Sequence, residues 1–380
     1  MKKNYCAVFI MMIINVTLFG APSFSGVLDS TFSARLWDKE PAQGTFTLEE
    51  YLNLRMQAKI GSLAAFYSAF NFIASAGENA ALLGLNTGAN FAAAIELERL
   101  YLRFTTEHTG LDIGLFRQAF GYGQIWGPMD FLNSRNPLLP DARPRAILGA
   151  AYAVFPGDTS KILAFVSAPK DPVNAQWNGA FTGIATEKHS DKFSIQALYS
   201  YETPHSLPQS AVDYTAGIHR GGLSLKADVV AGIFADALYK LNPHKPSGLD
   251  SFAVSCGADY SFGPREPNIW FQSLIVMTSY LYSGANSEMA FNEGGIYRQE
   301  HYLYPSVQYN MTNYTSLSAA AIIALEDGSF APVLSFQQSI AQGLDLTVNA
   351  QFYPCQTGEF GRTGVFTQAA ALSAKLSARF

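Results

Sequence analysis

The sequence predicts an all-β fold, a transmembrane antiparallel up-and-down β-barrel of about 18 strands (16–18), with long external loops and short periplasmic turns. Three observations carry this expectation: an export leader, no apolar run of helix length behind it, and long stretches of strict apolar/polar alternation.

Lys2 and Lys3 precede an apolar stretch from Ala7 to Phe19, followed by small residues, the layout of a secretory signal peptide. Small Ser23 and Ser25 flank Phe24, so cleavage is expected after Ser25, giving a leader at 1–25 and a single barrel domain at 26–380. An uncleaved anchor is the alternative, and the stretch is short for one. Cys6 leaves with the leader and precedes the apolar region, so it is not placed for lipid attachment. Cys256 and Cys355 remain, with pairing left open. Beyond the leader, the nearest approach to an apolar helix is Leu223 to Tyr239, which Lys226, Asp228 and Asp236 interrupt. An exported chain without such a helix is a soluble periplasmic protein, a secreted protein or a closed barrel.

Composition and periodicity choose among these. Of the 380 residues, 48% are hydrophobic and 13% aromatic, but only 14% are charged. Soluble domains carry roughly 25% charge, so much of this surface meets something other than water. The net charge of -5 is mild and no basic block stands out to neutralise phosphates, which excludes nucleic acid as a partner. Leu372, Ala374, Leu376, Ala378 and Phe380 alternate with Ser373, Lys375, Ser377 and Arg379. Leu52, Leu54, Met56, Ala58 and Ile60 alternate likewise with Asn53, Arg55, Gln57 and Lys59. The pattern recurs at 344–352 and 252–262. A period of two puts the two sets on opposite faces of a strand. Runs of about 9–11 residues suit a tilted bilayer-spanning strand, whereas soluble strands average about 5–6.

The joins alternate in length. Gly61, 105–110, 156–159, 187–190, Gly221, 263–267, 311–314 and 341–342 read as short, with the hairpin at Gly221 linking strands 211–220 and 222–231. Segments 38–50, 75–94, 119–144, 232–249, 282–299 and 354–364 read as long, and 326–328 is a short exception. Short periplasmic turns and long external loops distinguish a bacterial barrel. In this topology Tyr199, Tyr201, Tyr280, Tyr302, Tyr304 and Phe352 form an external aromatic girdle, and Tyr260, Phe262, Trp270, Tyr309 and Phe380 a periplasmic one.

The terminal strand, with Leu372 and Leu376 alternating toward Phe380, resembles the assembly signal of bacterial outer-membrane proteins. That resemblance implies the barrel assembly machinery and outer-membrane lipid as partners. The longest connection reads FGYGQIWGPMDFLNSRNPLLPDARPR from Phe120 to Arg145. Its Trp126-Gly127 step, Asp130, Asn133 and Asn136-Pro137 are similar to a segment in porin-like barrels of the alginate-export and related channel families. The glycine-rich, Asn-Pro-punctuated opening of fatty-acid channels does not appear.

Physically, a connection of this length is usually functional. Gly121, Gly123 and Gly127 permit tight turns, while Trp126, Phe131, Leu132, Leu138 and Leu139 supply apolar matter too costly to leave in water. An inward fold is expected, with 119–144 as a constriction loop presenting Trp126, Asp130, Arg135, Asp141, Arg143 and Arg145. An external lid is the competing expectation. Parity assigns Arg55, Lys59, Arg99, Arg103, Lys226 and Lys375 to the lumen, together with Asp228, Asp345 and Arg379. Arg117 shares parity with Leu111, Ile113 and Leu115 and is not counted as lining. Much of the acid lies in connections, as with Glu40, Glu49, Glu50, Asp236, Glu288 and Glu293.

This points to a porin-like channel for passive diffusion of small hydrophilic solutes, with anions favoured, acting as a monomer or homotrimer. A barrel whose loops serve adhesion and a channel for hydrophobic substrates are the alternatives. His108, His189, His205, His219, His244 and His301 show no metal-ligand spacing. No Gly-x-Ser-x-Gly elbow or phosphate loop is present, so neither catalysis nor a metal or cofactor is expected.

Overall fold

The computed structural model describes residues 21–37, 43–77, 81–82, 85–86, 90–133, 146–168, 179–206, 213–214, 216–245, 247–264, 270–291, 295–361 and 368–380. Its barrel strands are β1 (Ser23–Trp37), β2 (Gln43–Ile60), β3 (Ala64–Gly77), β4 (Phe91–Thr105), β5 (Thr109–Phe116) and β6 (Ile147–Gly157). They continue as β7 (Ser160–Ser167), β8 (Phe181–His189), β9 (Phe193–Glu202), β10 (Ile218–Asp228), β11 (Gly232–Leu241) and β12 (Phe252–Phe262). The last six are β13 (Ser273–Ser283), β14 (His301–Asn310), β15 (Thr315–Ala324), β16 (Phe330–Ala341), β17 (Leu344–Phe352) and β18 (Gln368–Arg379).

Each strand pairs antiparallel with the next, and β18 returns to pair with β1 from Val27 opposite Arg379 onward, closing an 18-stranded sheet. Closure matters in lipid, where an unpaired edge would leave backbone groups without partners at several kcal/mol each. At the seam Gly26 N–H donates to the Phe380 carbonyl at 2.8 Å, and Phe380 N–H donates back at 3.2 Å. The Phe380 ring lies over Gly26 so closely that a Cβ there would be 2.5 Å from Cζ. The terminal aromatic therefore covers the last rung of the closing pair.

Outward residues are apolar and exposed, among them Leu28, Phe32, Leu54, Ile95, Ile113, Leu148, Val166, Ile184, Leu334, Leu372 and Leu376. Such a surface needs hydrocarbon rather than water around it. The joins 61–63, 106–108, 158–159, 190–192, 229–231, 311–314 and 342–343 are short and lie at one end. The opposite end carries 78–90, 117–146, 168–180, 203–217, 284–300 and 353–367.

Several expectations are corrected. The hairpin read at Gly221 turns instead at 229–231: β10 runs straight through Gly221 and Gly222, and β11 occupies what reads as loop 232–249. Val229, Val230 and Ala231 contain none of the usual turn formers. Gly222 serves close approach instead, since a Cβ there would sit 3.0 Å from Met129 Cγ. Asp236 therefore lies on a strand, not in a loop. Glu49 and Glu50 likewise belong to β2, whose first join is 38–42 rather than 38–50. Tyr302 and Tyr304 stand at the external end but on the inward face, where Tyr302 is fully buried.

Candidate functional site

The segment after β5 enters the barrel and lies along its inner wall. Gly121 N–H donates to Gln196 Oε1 on β9 at 2.6 Å. Tyr122 N–H is shared between Ser224 Oγ on β10 at 2.9 Å and Asp236 Oδ1 on β11 at 3.1 Å. Gly123 N–H meets the other Asp236 oxygen at 3.1 Å, and Ser224 donates to the same carboxylate. Successive N–H groups thus cradle one carboxylate. Only glycine allows this approach: Gly121 has φ +84°, and a Cβ at Gly123 would be 2.0 Å from the Trp126 carbonyl.

Farther along, the Tyr122 hydroxyl reaches Glu187 on β8 at 2.8 Å and Gln124 reaches Asp259 on β12 at 2.8 Å. Ser255 donates to the Trp126 carbonyl at 3.0 Å, and the Trp126 indole donates to the Tyr297 hydroxyl at 2.7 Å. Tyr297 and Tyr302 join Trp126 to Glu359, which accepts from the Tyr302 hydroxyl and from Arg298 N–H. Burial pushes the Glu359 carboxyl above the usual range, against the opposing hydrogen bonds. The chain then returns: Asn133 donates to the Gln118 carbonyl at 2.5 Å and to Asp130 at 3.0 Å.

This excursion fills one side of the lumen. Phe120, Met129, Phe131 and Leu132 pack on inward Leu163, Phe165, Phe181, Ala185, Leu198 and Leu238 of β7–β11 in one buried cluster. Above them Arg220 pairs with Glu202 at 2.8 Å and Glu288 at 3.0 Å, and its guanidinium stands 5.1 Å over the Phe131 ring. A buried guanidinium is tolerable because both carboxylates compensate it.

The other side stays open. On β2–β4 the register sets Arg55, Ala69 and Arg99 on one rung, Gln57, Tyr67 and Tyr101 on the next, and Lys59, Ala65 and Arg103 on the one below. Alanine between each pair of cations leaves room for a solute. Arg55, Gln57 and Lys59 are exposed although they face inward. Tyr67 and Tyr101 stack at 4.8 Å with Arg103 over both rings at 5.5 Å.

A bulge between Ala69 and Phe70 on the paired register turns Glu98 inward beside Arg99. Glu98 then forms ion pairs with Arg117 at 2.9 Å and Arg99 at 3.2 Å and accepts a hydrogen bond from Asn53 Nδ2 at 2.5 Å. Asn71 links this group to Glu96 at 2.9 Å.

The expected site residues are thus sorted. Trp126 and Asp130 lie in the inward segment but are buried, and Asp130 shapes it by accepting Phe120 N–H and Asn133. Arg135, Asp141, Arg143 and Arg145 lie outside the described residues. Arg55, Lys59 and Arg99 line the open side together. Arg103 is held by Asp112 through two 2.7 Å contacts, and Lys226 by Asp228 at 3.1 Å near the short-turn end. Lys375 sits apart on β18, half-buried. Sequence reasoning missed Arg117, Glu98 and the Asp236 cradle. The outward run Ile233, Ala235, Ala237, Tyr239 and Leu241 carries the strand signal that would have located Asp236.

No protein-family model matches the sequence, and no curated protein matches it. Solved structures do. Pseudomonas aeruginosa OccK7 (OpdD) is similar at a TM-score of 0.54 with 11% identity, over 95% of this chain and 99% of that one. Acinetobacter baumannii OccAB4 gives 0.58 with 8% identity, over 95% and 98%. Salmonella typhi OmpF, solved with daunomycin, gives 0.52 with 10% identity, over 94% and 97%. These are outer-membrane porins, and this chain has their fold.

Proposed function

We propose that the chain is an outer-membrane porin-like channel for passive diffusion of small hydrophilic solutes, with anions favoured. One observation carries the reading: inward residues of β7–β11 are buried under the 117–133 segment, while inward Arg55, Gln57 and Lys59 on β2 remain exposed to solvent. The segment narrows the lumen to the side lined by cations. Arg99 and Arg117 pair with Glu98, while Arg55 and Lys59 stand on the same side with no carboxylate contact among the ion pairs of the described residues. In a confined passage such charges are screened less than at an open surface. Ion current through the purified barrel in a planar bilayer tests the reading, and a barrel that acts only through its loops as an adhesin would carry none.

Export is assigned to a leader at 1–25; β1 starts at Ser23 and Ser23–Ser25 pair with Gln57–Arg55 of β2, so a cut after Ser25 would remove three paired residues and leave Gly26, the partner of Phe380, at the start of the strand. Leu372, Leu376 and Phe380 serve as the signal read by the assembly machinery. Deleting Phe380 is expected to lower the yield of heat-modifiable barrel severalfold while barrels that do form unfold within a few kcal/mol of the parent, since one interfacial aromatic contributes no more than that. Undiminished surface yield would remove the assembly role.

A further inference from the structure

We infer that the external rim carries a site for a divalent transition metal of zinc's class, built from Glu300, His301 and Glu326. Each offers one ligand atom, and the three atoms lie within 4.8 Å of one another. The cluster is invisible to sequence spacing because strand pairing, not a short motif, assembles it. His301 opens β14, Glu300 precedes it, and Glu326 arrives from the 325–329 join between β15 and β16.

Two backbone contacts set the approach without any ion. Leu325 N–H donates to the His301 carbonyl at 2.9 Å, and Glu300 N–H donates to Glu326 Oε1 at 2.8 Å. Gln299 adds a side-chain bond to Asp327 at 2.7 Å, so the join is held against the start of β14 on both sides.

A second, independent feature points to a ligand. His301 Nδ1 lies 2.6 Å from the Tyr280 hydroxyl on β13. Tyr282 packs against the same imidazole at 5.3 Å between ring centroids. A ring nitrogen engaged in this way fixes ring orientation, and with Nδ1–H donating to the hydroxyl Nε2 keeps the lone pair that an ion needs, as with outer-shell partners of metal-bound histidines. Two carboxylates brought this close repel each other, and a cation reverses that sign.

The donor set decides the class of ion. One imidazole and two carboxylates are all ligand types that zinc accepts, and exposed Glu326 leaves a further position to water. Calcium requires six to eight oxygens, and magnesium retains most of its own waters, so neither suits three donors that include nitrogen. An ion here would lock the 325–329 join to the rim. That join is bonded to Glu359 and Phe360 of the neighbouring external connection, so the mouth would stiffen as a unit.

The test titrates zinc chloride into the folded, chelator-stripped full-length barrel by calorimetry at neutral pH. The parent is expected to bind one ion per chain. Tyr280→Phe should weaken binding by about 10-fold, within the range for a lost outer-shell partner, and His301→Ala, which removes a ligand, by more than that. Glu326→Gln should weaken it at least about 10-fold on the same grounds. Heat-modifiable migration confirms that each variant is folded. Zinc should also raise the unfolding temperature of the parent but not of His301→Ala. The proposal is overturned if the parent shows no saturable binding, if His301→Ala binds as the parent does, or if calcium or magnesium binds as tightly as zinc.

Discussion

Replacing Asp236 by alanine is expected to raise single-channel conductance and add current noise by loosening the inward segment. In the parent, this carboxylate accepts Tyr122 N–H at 3.1 Å, Gly123 N–H at 3.1 Å and the Ser224 hydroxyl. Alanine would leave Gly123 N–H without its acceptor on the wall, at about 1–3 kcal/mol, and Tyr122 N–H with Ser224 Oγ alone. The segment should not detach entirely. Phe120, Met129, Phe131 and Leu132 stay buried against β7–β11, and each contributes about 1.5–3 kcal/mol through burial. The tip at 121–127 should therefore move while 128–133 holds. Gly123→Val should act alike, because its Cβ would collide with the Trp126 carbonyl and stand 2.8 Å from Asp236 Oδ2. The two changes disturb one contact, so the double variant should show less than the sum of their effects. Conductance equal to the parent's in both variants would mean that the segment does not narrow the lumen.

Val348→Arg is expected to cost about 2–4 kcal/mol of stability in bilayers, the penalty for a cation at the lipid midplane. Val348 lies near the middle of β17, opposite Phe336 on β16 and Ala374 on β18, all on the outward face. Asn349→Arg, one residue along, should change stability by less than about 1 kcal/mol, since surface substitutions in water usually cost little. Asn349 lies opposite Ser335 and Ser373 on the lumen side. Denaturant unfolding of the two variants in vesicles compares them directly. Equal losses at both positions would show that the register is wrong, since a one-residue slip exchanges the faces of a strand.

Alternation made the barrel legible wherever both faces kept their character. β18, β17, β12 and the lower half of β2 have apolar outward sets and polar inward sets, and their bounds match the sequence reading closely. The reading failed where the lumen itself is apolar. Phe234 and Leu238 on β11 are buried inward beside Asp236 and Lys240, so β11 has no uniformly polar face and reads as a loop. Strict alternation counted from Arg103 also sends Glu96 and Glu98 toward lipid; the bulge beside Ala69 turns them inward, and a single sequence does not reveal a bulge. Arg117 shares parity with outward Leu111, Ile113 and Leu115 and was set aside for that, but it lies past the end of β5 and turns to Glu98. The rim cluster of Glu300, His301 and Glu326 depends on which strands are neighbours. The length and composition of 119–144 led to the expectation of an inward fold, since its apolar residues needed cover, and its described part, 119–133, packs on the inner wall. Which wall they would find depended on Asp236, a residue the sequence had placed in a loop.

We propose a lumen narrowed to a passage beside β2–β4 and governed by its cations. The reversal potential of single channels under a potassium chloride gradient tests this most directly. The parent is compared with a variant carrying Arg55→Gln, Lys59→Gln and Arg99→Gln; Arg117 is kept so that Glu98 retains its 2.9 Å partner. The parent should reverse on the chloride side of zero and the variant should move toward potassium. The difference should shrink near 1 M salt, where the Debye length falls to about 3 Å. A parent that carries no current, or a parent and variant that reverse at the same voltage, would contradict the account.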